Sequence, residues 1–276
     1  MESLTKRSGF VANGNARIYY ETAGAGSPFV MIHAGVADHR QWNNEFASFA
    51  TNHHVVRYDM RGYGKSEPVE GEFNPMDDLV SVLDVLELHE PIVLMGCSMG
   101  GGLAMDFALK YPARVKALIM VGSGPSGLEL DVPAPAKFAE AEKAYESGDL
   151  DLLAEIETQI WFDGTGRSPE QVDQTMRNLA YEMNRLALAH ESKQLGKRLP
   201  NAETPAFDRL ADLKIPVLII VGEHDTPYIL AAADYMLQNI PSARRVLIED
   251  AAHLPNMDHP EEFENAVKDF LDRLSH

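Results

Sequence analysis

Pro91-Ile92-Val93-Leu94-Met95-Gly96-Cys97-Ser98-Met99-Gly100-Gly101-Gly102 is the stretch on which the reading of the whole chain turns. Its first five residues are apolar on both alternating faces, as expected of a strand buried on both sides of a parallel sheet. Its last residues run into Leu103, Ala104, Phe107 and Ala108, which recur at helical spacing. Between them lies Gly96-Cys97-Ser98-Met99-Gly100, a G-x-S-x-G pattern set between strand and helix. Such a corner is so tight that the serine's own backbone is strained and its Oγ is pushed above the sheet edge. Gly96 and Gly100 are required where strand and helix would collide, and Gly101 and Gly102 are expected to extend the close approach. Four glycines have no other reason to gather here, since each costs a helix interior about 1 kcal/mol against alanine.

Outward from that corner, apolar runs at 18–20, 29–32, 55–58, 117–121, 217–221 and 245–248 read as further strands. Helices alternate with them. Asn74 is placed to cap one, with Pro75 at its first position and Asp77 and Asp78 at the positive end of its dipole. Met76, Leu79, Val80, Leu83 and Leu86 then share one face, and later helices are predicted over 100–111, 229–239 and 261–274. Strand–helix alternation of this kind gives a parallel α/β sheet with right-handed crossovers. Residues 126–204 break the pattern, with helices predicted over 136–146, 150–161 and 169–195 and no convincing strand. Pro125, Pro133 and Pro135 mark the entrance, and Pro200 and Pro205 the exit. The expected organisation is a core of residues 1–125 and 205–276 with a helical cap of residues 126–204 inserted between two strands.

A serine hydroxyl needs a base to become nucleophilic. Of ten histidines, His253 lies just beyond the last strand and before the closing helix, at the sheet edge where function concentrates. His53, His54, His190, His259 and His276 sit in polar or terminal settings and are expected to be solvated, whereas His33 reads as a buried, hydrogen-bonded scaffold residue. Asp225 ends the run Val217-Leu218-Ile219-Ile220-Val221-Gly222-Glu223-His224-Asp225 and is the expected partner of the base, with Glu223 and Asp250 as alternatives. Asp59 reads as a residue holding its own turn together. Oxyanion donors are expected from the backbone of Met99 and of Gly35, with Ala34 and Val36 as neighbours of the latter. Cys97, the only cysteine, excludes an internal disulfide and reads as an inert buried thiol. Phe138, Tyr145, Trp161, Phe162, Tyr181 and Met183 either line a pocket or form the cap's own core.

The charge balance narrows the partners. With 24 basic and 42 acidic residues the net charge is −18, which opposes binding to nucleic acid or to anionic membranes. No apolar run approaches the roughly 20 residues of a membrane span. The opening MESLTKRSGF lacks the apolar segment of a secretory signal, so a cytoplasmic location is expected.

His33-Ala34-Gly35, Asp59-Met60-Arg61-Gly62-Tyr63-Gly64-Lys65-Ser66, Gly96-Cys97-Ser98-Met99-Gly100-Gly101, Gly222-Glu223-His224-Asp225 and Ala252-His253 together resemble the α/β-hydrolase superfamily. The resemblance implies an eight-stranded, mostly parallel sheet flanked by helices, a helical cap, and hydrolysis with neither cofactor nor metal. It also implies Ser98 as nucleophile, His253 as base and Asp225 as acid. Ala251-Ala252-His253-Leu254-Pro255-Asn256 is similar to the 3-oxoadipate enol-lactonases and small-molecule carboxylesterases, which implies a small ester or lactone as substrate. Ser98-Met99-Gly100-Gly101 is similar to the C–C bond hydrolases of aromatic meta-cleavage pathways. Those usually carry asparagine and an aromatic residue where this chain has Cys97 and Leu254. A protein that binds a small ligand on this scaffold without turnover is the third reading.

Overall fold

The computed structural model describes residues 5–274. Eight strands form the main sheet: β1 (Arg7–Asn13), β2 (Ala16–Ala23), β3 (Pro28–Ile32), β4 (His54–Tyr58), β5 (Ile92–Cys97), β6 (Val115–Val121), β7 (Val217–Gly222) and β8 (Ala243–Ile248). Their order is β1-β2-β4-β3-β5-β6-β7-β8. The β1–β2 and β2–β4 pairings are antiparallel, and every pairing from β4 to β8 is parallel. This is the mostly parallel eight-stranded sheet expected from the sequence.

Every residue of β3, β5 and β7 is buried because the sheet is covered on both faces. Alternation divides those residues between two cores. Val30, Ile32 and Leu94 pack with α2 (Pro75–Val85), α3 (Met99–Lys110) and α7 (Pro227–Asn239). Phe29, Met31, Val93 and Met95 pack with α1 (Asn43–Phe49) and α9 (Pro260–Arg273). Phe263, Val267 and Phe270 of α9 fall at i, i+4 and i+7 and are all buried, each contributing about 1.5–3 kcal/mol of burial. Asn74 caps α2 by accepting the Met76 N–H at 2.9 Å.

After β6 the chain leaves the sheet and returns only at β7. Between them lie α4 (Lys137–Ser147), α5 (Leu150–Thr158) and α6 (Gln174–Glu191). Gly148 closes α4 in the left-handed region at φ 72°, and Asp149 and Asp173 cap α5 and α6. Two of these helices differ from the predicted bounds. The helix expected to reach residue 161 ends at Thr158 and continues as a π-turn, Gln159–Asp163, which carries Trp161 and Phe162. The helix expected from residue 169 starts only at Gln174, since Ser168 and Gln171 close a separate short turn before Asp173 begins a new one. Lys197–Arg198 pairs in parallel with Glu72–Phe73, a two-residue ribbon too short for periodicity to register.

Phe162 and Met183 join the core on the sheet's α1/α9 face, and Phe138, Trp161 and Tyr181 pack around the core of α4 and α5, whereas Tyr145 is exposed. No helix among the described residues is long and apolar enough to cross a membrane. A short α8 (Pro255–Asp258) leads into α9.

Candidate active site

Ser98 stands at the junction of β5 and α3 with φ 51° and ψ −116°. This is a costly conformation for a residue with a side chain, and its neighbours enforce it. The Ser98 N–H donates to Val121 O at 2.8 Å, while Ser98 O accepts from Ser123 Oγ at 2.8 Å and from Gly102 N at 3.0 Å. A Cβ on Gly96 would stand 2.3 Å from Gly100 O, and one on Gly100 would stand 2.4 Å from His33 O. Gly101 is equally constrained, by Ser123. Gly102 is not: a Cβ there would meet only Gly124 O, at 3.9 Å. The expected close approach of helix and sheet therefore ends at Gly101.

The loops after β7 and β8 bring Asp225 and His253 together. His253 Nδ1 lies 2.9 Å from Asp225 Oδ2 and 3.0 Å from Oδ1, and both side chains are buried. A carboxylate accepts only, so Nδ1 carries the proton and Nε2 keeps its lone pair. The Thr226 N–H donates to Asp225 Oδ1 at 2.7 Å and fixes the carboxylate. The His253 loop lies directly over the serine corner. Cys97 Sγ is 3.8 Å from His253 O, and a Cβ on Gly122 would be 2.9 Å from that same oxygen. Burial pushes the Cys97 thiol up to about 12, so at neutral pH it is un-ionised and inert.

Glu223 and Asp250, the alternative acids, are exposed and turn elsewhere: Glu223 Oε2 accepts the Asp250 N–H, and Asp250 faces His224. His33 is fully buried; Nε2 accepts the Met60 N–H at 2.9 Å and Nδ1 donates to Ala34 O at 2.7 Å. Asp59 holds its turn by accepting the N–H groups of Lys65 and His39. One expectation is overturned. His190 is buried, with Nδ1 against Gly62 O at 3.1 Å, because the end of α6 folds down onto the loop after β4. His53, His54 and His259 are half-buried, and His276 lies outside the described residues.

The loop after β3 faces the start of α3. A Cβ on Gly35 would lie 3.6 Å from Met99 Cβ. The Ala34 N–H is committed to Gln41 Oε1 at 2.8 Å, whereas the N–H groups of Gly35 and Val36 have no acceptor among the described residues. Met99, at the first position of α3, has a free N–H by helix geometry. Gly35, Val36 and Met99 all line a cavity of about 410 Å³. Its far wall comes from Asn184, Ala187, Leu188 and His190 of α6, and none of Phe138, Tyr145, Trp161, Phe162, Tyr181 and Met183 lines it.

Several contributors have no local signature. Trp161 packs its indole against His253, ring centroids 4.5 Å apart. Arg167 donates to Asp250 O and pairs with Asp258 at 2.6 Å, clamping both ends of the His253 loop. Gln41 Nε2 donates to Asn256 Oδ1 at 3.3 Å and Asn256 Nδ2 returns to Gln41 O at 2.8 Å, tying the Gly35 loop to the His253 loop.

Among the described residues, two clusters gather ligand atoms of the kind metals accept, Asp38/His39/Asp59 and Glu223/His224/Asp250. In the first, Arg40 already pairs with Asp38 and His39 and Lys65 with Asp59; the second is open to solvent. Neither adjoins the Ser98 corner in hydrogen bonding.

A family model described as the alpha/beta hydrolase fold matches residues 27–260. The 2-hydroxy-6-oxononadienedioate/2-hydroxy-6-oxononatrienedioate hydrolase of Comamonas testosteroni is 27% identical over 267 residues, covering 93% of this chain and 92% of its own. Among solved structures, Est816, described as an N-acyl homoserine lactone degrading enzyme, is 26% identical with a TM-score of 0.76, covering 95% of this chain and 100% of its own. The enol-lactonase of Burkholderia xenovorans LB400 has a TM-score of 0.74 at 22% identity, covering 96% and 100%, a likeness of fold.

Proposed function

The chain is a hydrolase belonging to the α/β-hydrolase family, and from that premise we propose that it cleaves a small carboxylic ester or lactone through an acyl-enzyme on Ser98. The observation that carries the reading is the buried His253, its Nδ1 committed to Asp225, on a loop whose carbonyl meets Cys97, the residue before a serine held in a strained corner. His253 Nε2 takes the hydroxyl proton as Ser98 Oγ attacks the carbonyl carbon. The N–H groups of Met99 and Gly35 receive the developing oxyanion, each such donor being worth about 3–4 kcal/mol in the transition state. Collapse breaks the acyl–oxygen bond, and the leaving alkoxide takes the proton from His253. Water then attacks the acyl-enzyme, again losing its proton to His253, which returns it to Ser98 Oγ as the acid departs. Asp225 holds the tautomer and stabilises the imidazolium in both halves. Residues 126–204 act as the cap that closes the cavity over this centre.

Steady-state hydrolysis of 4-nitrophenyl esters tests the proposal, with Ser98→Ala expected to lower kcat by about 10⁴ or more. Wild-type turnover in that variant would overturn it, as would failure of a fluorophosphonate to label Ser98. A second reading, C–C bond hydrolysis, is favoured by the likeness to the Comamonas enzyme over nine-tenths of both chains. It requires decay of a 2-hydroxy-6-oxo dienoate substrate faster than turnover of any ester.

A further inference from the structure

One exposed cation on the cavity wall has no directly paired carboxylate among the described residues, the nearest charge being Asp106, reached through Asn201. Arg198 lies near the end of the inserted segment and stands between the cavity lined by Gly35 and Met99 and a neighbouring one lined by Asp106, Ser126 and Asn201. Its guanidinium donates to Met99 Sδ and to Asn201 Oδ1, the latter at 3.2 Å, and it forms no ion pair among the described residues. Arg61, the other guanidinium of the cavity, is neutralised by Asp78 at 2.6 Å.

Two phenols accompany Arg198. Tyr58 is buried on the cavity wall and its hydroxyl has no hydrogen-bond partner. A buried hydroxyl left unpaired costs about 1–3 kcal/mol, so it marks a place where something is missing. Tyr63 is on the same wall, its hydroxyl only in weak contact with Met99 Sδ at 3.9 Å. Burial raises both phenols above their usual range, so they stay protonated and donate, while the charge of Arg198 acts on each. A planar cation with two neighbouring O–H donors matches the two oxygens of a carboxylate.

The acids of the cavity act on the same phenols: Asp78, paired with Arg61, on Tyr58, and Glu157 and Glu191 on Tyr63. Glu157, bonded to Asn184 Nδ2 at 2.8 Å, also lines a small crevice with Trp161 and Leu254, on the His253 side. Glu191 lies at the end of α6. Carboxyls there disfavour a second negative charge on the same ligand.

We propose that Arg198, Tyr58 and Tyr63 form a carboxylate-binding subsite, so that the substrate is a mono-anionic ester or lactone whose carboxylate docks there while its scissile carbonyl lies at Met99 and Gly35. The substrate class rests on the hydrolase reading above; the subsite itself is testable without turnover.

The kinetic test compares the mono-4-nitrophenyl ester of glutaric acid with neutral 4-nitrophenyl butyrate. Wild type should prefer the anionic ester in kcat/KM by about tenfold or more, as a charge-assisted contact provides. Arg198→Gln should lower that ratio by about 10- to 100-fold, mainly through KM, with Arg198→Lys recovering part and Tyr58→Phe losing about threefold. A wild-type preference for the neutral ester, or an unchanged ratio in Arg198→Gln, overturns the subsite. The binding test titrates monomethyl glutarate calorimetrically into Ser98→Ala and into Ser98→Ala/Arg198→Gln. Saturable binding lost with Arg198 supports the subsite even if neither ester is turned over, an outcome that would sink the ester reading alone. Equal binding to both variants, or none to either, overturns it.

Discussion

His253 Nδ1 sits between the two oxygens of Asp225, at 2.9 and 3.0 Å, at the bottom of two loops from which water is excluded. An amide in place of that carboxylate would present a donor to Nδ1 and favour the other tautomer, with the proton on Nε2 where a base needs a lone pair. Asp225→Asn should therefore fold normally and lower kcat by about 10⁴, the loss that tautomer reversal brings in a serine triad. Asp250→Asn, at an exposed residue facing His224, should change kcat by less than about threefold. Ester kinetics on the two variants decide between them: equal losses would remove Asp225 from the acid's role.

Trp161 holds the imidazole from the other side. Its ring lies 4.5 Å from that of His253 at 44°, and such pairs contribute about 0.5–1.5 kcal/mol beyond their buried area. Trp161→Leu keeps apolar bulk but removes the ring contact, and should lower kcat by up to about tenfold with little change in melting temperature. An unaltered kcat would mean that Asp225 alone orients the imidazole.

The chain's local pattern reveals what each strand and turn does by itself. The run at 91–95, the glycines around Ser98, and the positions of Asp225 and His253 just past apolar strands are all visible that way, because each depends on neighbours in sequence. β1 is not visible: its residues, exposed or half-buried apart from Val11, lack both the continuous apolarity of a buried strand and clean alternation. Nor are the contacts made across the inserted segment. Trp161 meets His253 only because α5 ends at Thr158 and a π-turn redirects the chain. His190 looks like a polar helix terminus and is buried by a loop 128 residues away. Arg198 belongs to a two-residue ribbon whose partner, Glu72–Phe73, lies far back in the sequence. Periodicity carries no information about such meetings.

Gly101 and Gly102 are adjacent and read alike in the sequence, yet their surroundings differ. A Cβ on Gly101 would stand 2.4 Å from Ser123 Oγ and 2.9 Å from Gly96 O, while one on Gly102 would meet nothing nearer than 3.9 Å. Gly102→Ala should raise stability by about 0.5–1 kcal/mol through helix propensity. Gly101→Ala should lower it by about 1–3 kcal/mol and displace the Ser123–Ser98 hydrogen bond that holds the corner. Urea denaturation of both variants measures the difference. A stabilised Gly101→Ala would show that the corner relaxes freely and that its strain is not enforced by packing.

Glu45 is buried within the polar network that joins the Gly35 loop to the His253 loop. Its Oε2 accepts from Asn256 Nδ2 at 3.2 Å, and its Oε1 has no partner. Burial pushes its carboxyl up to about 8 from an ordinary 4.5. An acid raised in this way binds a proton more tightly when folded, so its contribution is fully present below about pH 4.5 and is lost as pH rises through about 8. At about 1.4 kcal/mol per unit, the loss by pH 9 is on the order of several kcal/mol. Glu45→Gln keeps the shape and the acceptor but cannot ionise, so its urea midpoint should fall less than that of wild type between pH 5 and pH 9. Parallel curves would acquit Glu45. The same substitution bears on activity, because Asn256 bonds Gln41 and Gln41 holds the Ala34 N–H beside Gly35. If ionised Glu45 disturbs that chain, wild-type kcat should decline at alkaline pH and the decline should be smaller in Glu45→Gln.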